Sequence, residues 1–127
     1  MAIPTPTDGE MAILRVLWSQ GPSTVRQVHE SLHDERKVGY TTVLKMLQIM
    51  REKGIVSRED GRRPHIYSPV QAPDVVQDGL VSALIRKAFG GSAASLVMRA
   101  LSARTTSAAE LRDIRNLLDS IELGAEE

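Results

Sequence analysis

Thr41-Thr42-Val43-Leu44-Lys45-Met46-Leu47-Gln48-Ile49-Met50-Arg51-Glu52-Lys53 decides the fold, together with the run after Gly54, Ile55-Val56-Ser57-Arg58-Glu59-Asp60-Gly61-Arg62-Arg63-Pro64-His65-Ile66-Tyr67. In the first segment Val43, Met46, Leu47 and Met50 recur at helical spacing and are expected to pack inward. Thr41, Leu44, Lys45, Gln48 and Glu52 then share the opposite face. Gly54 suits the left-handed conformation that stops a helix. The second segment alternates like two strands around a tight Asp60-Gly61 turn, which puts Arg62 and Arg63 near its tip.

Upstream, Thr7-Asp8-Gly9-Glu10 has the spacing of a capping box and opens a helix carrying Met11, Leu14, Leu17 and Trp18 on one stripe. A lone indole on such a stripe reads as core. Gly21-Pro22 breaks that helix, and Ser23 or Thr24 caps a second with Val25, Val28 and Leu32 inward, expected to end around Arg36-Lys37. Three short helices and a hairpin define a winged helix-turn-helix. The fold class is therefore mainly α with a small β hairpin, followed by a helical tail.

Pro69-Val70-Gln71-Ala72-Pro73 reads as a joint, dividing a DNA-binding domain of residues 1–72 from a dimerisation domain of residues 73–127. The tail holds a helix over residues 74–89 with Val81, Leu84, Ile85 and Ala88 on one side, closed by Gly90-Gly91. A short helix over residues 92–101 follows. Ser107-Ala108-Ala109-Glu110 then caps a last helix in which Leu111, Ile114, Leu118 and Ile121 step three, four, three. Two heptads are too few for an independent coiled coil, and three short helices make a poor core of their own. The tail is thus expected to pair with a second copy through Leu84, Ile85, Phe89, Leu96, Leu111, Ile114, Leu118 and Ile121.

Composition agrees. Of 127 residues 42% are hydrophobic and 25% charged, ordinary globular usage, while 3% aromatic content leaves the core to aliphatic side chains on helices. The chain has no cysteine, which excludes disulfides, iron-sulfur clusters and thiolate zinc sites. No stretch has the basic start and apolar core of a signal peptide, and none approaches the roughly 18 apolar residues of a membrane span, so a cytoplasmic location without membrane contact is expected. Net charge is zero, yet residues 36–67 carry eight basic against three acidic side chains. Positive charge concentrated on helix and hairpin serves phosphate contact.

A helix fits the B-form major groove, and exposed Thr, Lys and Gln reach base edges. The expected DNA contacts are Tyr40, Thr41, Thr42, Lys45 and Gln48, with Arg62 and Arg63 on backbone or minor groove. Thr42 as a cap and Tyr40 as a packing residue are the competing readings. Because one short helix reads few bases, a two-fold dimer on a palindromic operator of double-stranded DNA is expected. The same fold used only for protein contacts is the alternative, and it predicts no salt-dependent DNA affinity.

His29-Glu30-Ser31-Leu32-His33 matches the H-E-x-x-H zinc-hydrolase signature. A third ligand is missing where the longer signature requires one: Arg36 stands in place of its glycine and Gly39 in place of its third histidine. The two imidazoles are therefore read as surface groups, with adventitious zinc or nickel binding as their only metal chemistry. No Gly-rich phosphate loop and no nucleophile triad is present, so neither enzyme activity nor a cofactor or bound metal is expected.

With these motifs in place, the chain resembles the BlaI/MecI penicillinase-repressor family of bacterial regulators over nearly its whole length. The resemblance is carried by residues 10–18 at the opening helix, Gly39-Tyr40-Thr41-Thr42-Val43 at the recognition helix and residues 58–67 at the wing. Phe89-Gly90-Gly91, Ser95-Leu96-Val97 and Glu110-Leu111-Arg112 carry it in the tail. It implies a homodimeric repressor on operators of resistance-related genes, held there until an inducing signal arrives, in some members through a sensor protease. Staphylococcal members are cleaved at an Asn-Phe bond in the helix that begins Ser-Leu-Val, and the matching positions here are Arg99 and Ala100. The cysteine-based copper switch of another branch is excluded by composition.

Overall fold

The computed structural model describes residues 5–33, 37–61 and 63–126. Its elements run α1 (Asp8–Gln20), α2 (Val25–Leu32), α3 (Tyr40–Glu52), β1 (Val56–Glu59), β2 (Ile66–Pro69), α4 (Pro73–Ala88), α5 (Ala93–Ala103) and α6 (Ala108–Glu126). Two compact units divide the chain, Met1–Ser82 and Ala83–Glu127. Among the described residues no single helix is long and apolar enough to cross a membrane.

In the first unit the helix starts follow the local sequence. Thr7 caps α1 and Thr24 caps α2, each as a full capping box with Glu10 or Gln27 returning the bond. Ala12, Ile13, Leu14 and Leu17 of α1 meet Val25, Val28 and Leu32 of α2 and Val43, Leu47 and Met50 of α3 in one buried cluster. Met46 is only partly buried at its edge. Leu44, expected on the polar face, also packs against the cluster. Trp18 packs there too and donates its indole N–H to the Gln71 carbonyl at 3.0 Å, tying α1 to the segment beyond the hairpin.

α3 ends in a Schellman motif. The Ile55 N–H donates to the Met50 carbonyl at 2.9 Å and the Gly54 N–H to that of Arg51 at 3.1 Å. Gly54 takes φ +80°, a conformation that costs glycine nothing, and Ile55 and Met50 are both buried beside it.

Two sequence expectations need correction. α2 stops at Leu32, with His33 as its C-cap; the expected end at Arg36 lies outside the described residues. The hairpin has no two-residue Asp-Gly turn: β1 and β2 pair antiparallel with Glu59 opposite Ile66, leaving residues 60–65 as the connection. Pro64 has no amide to give a ladder, and Asp60 spends its carboxylate on Arg58 and Arg51 instead of closing a turn. The free edge of β2 is met by Ser23, which exchanges both backbone bonds with Tyr67 at 3.0 and 2.8 Å.

One ion pair is built into this core. Glu10 is 4% exposed; one carboxylate oxygen accepts the Thr7 N–H at 2.9 Å and the other lies 2.9 Å from Lys53 Nζ, at the C-cap of α3. Burial works to raise the Glu10 pKa, but the Thr7 hydrogen bonds and the Lys53 charge outweigh it and hold the carboxyl below its ordinary value of 4.5. A depressed folded value means that the stabilisation is complete above the ordinary carboxylate range and fades as pH falls through the folded pKa.

In the second unit Gly90 and Gly91 take positive φ and close α4. Ser92 caps α5 by accepting the Ser95 N–H at 3.1 Å, and Ser107 accepts the Glu110 N–H at 3.1 Å ahead of α6. No described residue of α5 or α6 is buried.

Glu10→Gln is expected to lower stability by about 1–2 kcal/mol at pH 7, the low end for a buried pair because the Lys53 side chain is 37% exposed. In urea titrations the gap to the parent protein should narrow below about pH 4. A gap unchanged at about pH 3 would remove the carboxylate charge as its source.

Candidate nucleic-acid interface

The core fixes which side of α3 looks outward. With Val43, Leu47 and Met50 sealed, the residues Thr41, Thr42, Lys45, Gln48, Ile49 and Glu52 are all exposed. Thr41, Lys45, Gln48 and Glu52 line the side opposite the core, and Thr42 and Ile49 flank Lys45 at helical spacing. Tyr40, the first residue of the helix, is 48% exposed. Its ring lies 6.1 Å from that of His29, edge to face.

The amino end of α3 differs from those of α1 and α2. Gly39 occupies the N-cap and offers no side-chain bond, so neither Thr41 nor Thr42 acts as a cap. First-turn amides without an internal acceptor are donors for an anion. His29 positions the approach to this end by donating from Nε2 to the Val38 carbonyl at 2.9 Å.

The other half of α3 is braced to the hairpin. Asp60 accepts from Arg58 Nε in the wing and from Arg51 on α3 at 3.2 Å. The Arg58 hydrogen bond, then the charges of Arg58, Arg51 and His65, hold the Asp60 carboxyl below its ordinary value of 3.8 despite some desolvation. Gln48, Arg51, Glu52 and Arg58 line the hollow beside this clamp. A second groove, of about 790 Å³, opens between α2, α3 and the wing, with Arg26, His29, Glu30, Tyr40 and His65 on its walls.

Thr41, Lys45 and Gln48 share one exposed face of α3, with Thr42 on its flank and Tyr40 exposed at its amino end, turned toward His29. Arg63 is exposed in the wing connection, while Arg62 lies outside the described residues. The clamp of Arg51, Arg58 and Asp60 was not foreseen, because its members are nine and two residues from Asp60 and meet only once the hairpin folds. The imidazoles of His29 and His33 stand 6.0 Å apart, and no group of three His, Asp or Glu side chains among the described residues is placed to hold a metal. His29 is partly buried with its Nε2 engaged, which departs from the expectation of two surface groups.

In the second unit the expected dimerisation residues separate into two sets. Ile85, Phe89, Leu96, Leu111 and Ile114 are partly buried, whereas Leu84, Leu118 and Ile121 are exposed, at 52% and 58% for the last two. Leu117, Leu123, Val97, Met98 and Leu101 join the exposed set.

Three packed helices with a two-stranded wing, and a third helix presenting a polar face, define the winged-helix class. Two solved structures share the fold. The solution structure of the Bacillus licheniformis BlaI monomeric form in complex with the blaP half-operator matches with TM-score 0.50 at 22% identity, covering 57% of this chain and 88% of that one. The DNA binding domain of the repressor BlaI matches with TM-score 0.51 at 23% identity, over 57% and 90%. In sequence, the transcriptional regulator BlaI of two Mycobacterium tuberculosis strains, CDC 1551 / Oshkosh and H37Rv, is 36% identical over 119 residues, 92% of this chain and 85% of the relative. The penicillinase repressor family model matches residues 6–120, and the chain belongs to that family. It is accordingly a BlaI-like transcriptional repressor and not an enzyme.

The carboxyl of Asp60 should titrate below 3.8 in the folded protein, and Arg58→Ala should move its midpoint upward. Carbon-detected NMR of the side-chain carboxyl reads both values. A midpoint indifferent to Arg58→Ala would mean that the clamp does not persist in solution.

Proposed function

We propose that the protein is a homodimeric, cytoplasmic repressor that holds a palindromic operator through α3 and the wing and controls antibiotic-resistance or stress-related genes. The observation carrying this reading is the exposed row of Thr41, Lys45 and Gln48 on a helix whose opposite face is locked in the core. Such a row enters a major groove without disturbing the fold, and Lys, Thr and Gln match base-edge donors and acceptors there. Tyr40, Thr42 and the first-turn amides of α3 lie where phosphate would flank the helix, and Arg62 and Arg63 extend the contact through the wing. The complex of the Bacillus licheniformis BlaI monomeric form with a half-operator supports one half-site per copy.

Dimerisation follows from the second unit. Exposed Leu84, Leu118 and Ile121 would cover one another between copies, with Ile85, Phe89, Leu96, Leu111 and Ile114 beneath them. The boundary we propose between reading and pairing functions, residues 72–73, lies at the start of α4, ahead of the division between the two compact units at residues 82–83. Release by a sensor protease cutting between Arg99 and Ala100 does not follow, since the residues there differ from the cleaved bond of the staphylococcal relatives.

Binding to genomic fragments across a salt series tests the DNA reading. Affinity should fall steeply with salt, and Arg62→Ala with Arg63→Ala should flatten the logarithmic slope by about one to two units while weakening all duplexes alike. A slope unchanged by the double substitution would take the wing out of the interface; no salt-dependent affinity at all would favour a protein-contact module instead. Leu118→Asp should convert the dimer to monomer in sedimentation velocity, because a carboxylate would be left unpaired in the apolar seam. An intact dimer would place the seam within one copy.

A further inference from the structure

Ile49 is the one strongly apolar side chain on the outward face of α3 and is 43% exposed. It follows Lys45 by four residues and Thr42 by seven, so the three stand in one row along the helix. It has no part in the core cluster: Leu44 and Met46 are the apolar residues of α3 partly buried against it, and Ile49 is not among them. On the neighbouring flank Lys53 is drawn to Glu10 by an ion pair. A β-branched aliphatic residue is also a mediocre choice for an exposed helix site, where Lys, Gln or Glu would favour the helix slightly more. Its value must therefore come from what it touches when α3 is engaged.

We infer that Ile49 is a specificity-determining residue that reads the 5-methyl group of thymine in the major groove. The inference rests on the DNA reading of α3 given above. In that groove the only apolar group on a base edge is the thymine methyl, and aliphatic side chains contact it directly. Lys45, one turn away, would hold a neighbouring base edge or phosphate and set the depth to which Ile49 reaches. The row thus combines a polar reader with an apolar one. Phosphate contacts position the helix, and the methyl contact selects the base.

The test separates the methyl from every other feature of the base. Duplexes enriched by the full-length protein from a random pool are resynthesised with each thymine replaced in turn by deoxyuridine, which removes only the methyl. For the unaltered protein affinity should fall about three- to fivefold at one or two thymines, the effect of losing one buried methyl-sized contact. Ile49→Ala should bind the thymine and deoxyuridine duplexes equally and keep the parent's salt slope, since no phosphate contact is touched. Affinity indifferent to deoxyuridine at every position, or an Ile49→Ala protein that remains as sensitive as the parent, would overturn the role of Ile49 while leaving DNA binding intact. A protein that enriches no duplex in a salt-dependent manner would overturn the DNA reading itself, and this inference with it. Circular dichroism of Ile49→Ala should match the parent, because the side chain lies outside the core cluster.

Discussion

The buried carboxylate of Glu10 is the constraint on which the reading surface depends. It closes the capping box that starts α1 and at the same time pairs with Lys53 at the end of α3. A group that serves two helix ends at once fixes them relative to each other. Lys53 sits one turn beyond Ile49, so the pair also fixes the rotation of α3 about its axis. A helix rotated by one residue, about 100°, would bring Lys45 or Gln48 towards the core and withdraw the outward row. Hydrophobic burial of Val43, Leu47 and Met50 prefers the observed phase, and the ion pair makes neighbouring phases costly by leaving Glu10 buried and unpaired.

The two ends of α3 are treated in opposite ways. Its C-terminus is saturated: Gly54 and Ile55 return the last carbonyls, Lys53 is paired, and Arg51 is held by Asp60. Its N-terminus begins at Gly39 with no side-chain cap, although α1 and α2 each have a complete box. Boxing the starts of α1 and α2 while leaving the first-turn amides of α3 without a side-chain acceptor keeps the partial positive charge of that helix end available at the surface. The missing side-chain cap, worth only about a few tenths of a kcal/mol where glycine holds the position, is a small stability cost that binding an anion would recover.

What was legible in the sequence was local. Thr7 with Glu10, and Ser23 or Thr24, announce helix starts within four residues, and Gly54 announces a stop, because capping needs only neighbours. The inward stripe of α2 and Val43, Leu47 and Met50 of α3 follow from period, but α1 also buries Ala12 and Ile13, outside its expected stripe, while Met11 and Trp18 are only partly buried. Contacts between distant residues were not legible. Lys53 is 43 residues from Glu10 and Gln71 is 53 from Trp18, and nothing in either neighbourhood marks its partner. The hairpin failed for a related reason: Asp60-Gly61 has turn chemistry, but Asp60 is drawn to two guanidinium groups and Pro64 cannot join a ladder, so the connection lengthens and β2 begins at Ile66. The motif His29-Glu30-x-x-His33 points the other way, since its spacing suits zinc while its first imidazole is committed to the Val38 carbonyl.

The second unit turns the same physics outward. The first unit buries its stripes on one another, whereas α5 and α6 bury no described residue and leave Met98, Leu117, Leu118, Ile121 and Leu123 more than half exposed. Apolar area of that kind favours association, and in the proposed dimer a symmetric partner would cover it with the same residues. For the proposed repressor this arrangement does more than add stability. A single α3 reaches few base pairs, so discrimination against a genome of competing sites depends on two copies binding at a fixed spacing. In that reading, the positive charge of residues 36–67 and the slight acidic excess of residues 73–127 would direct phosphate contact to the first unit. In the proposed dimer affinity would reside in one unit and geometry in the other, and a change that weakened pairing would reduce operator selectivity without touching a residue proposed to meet DNA.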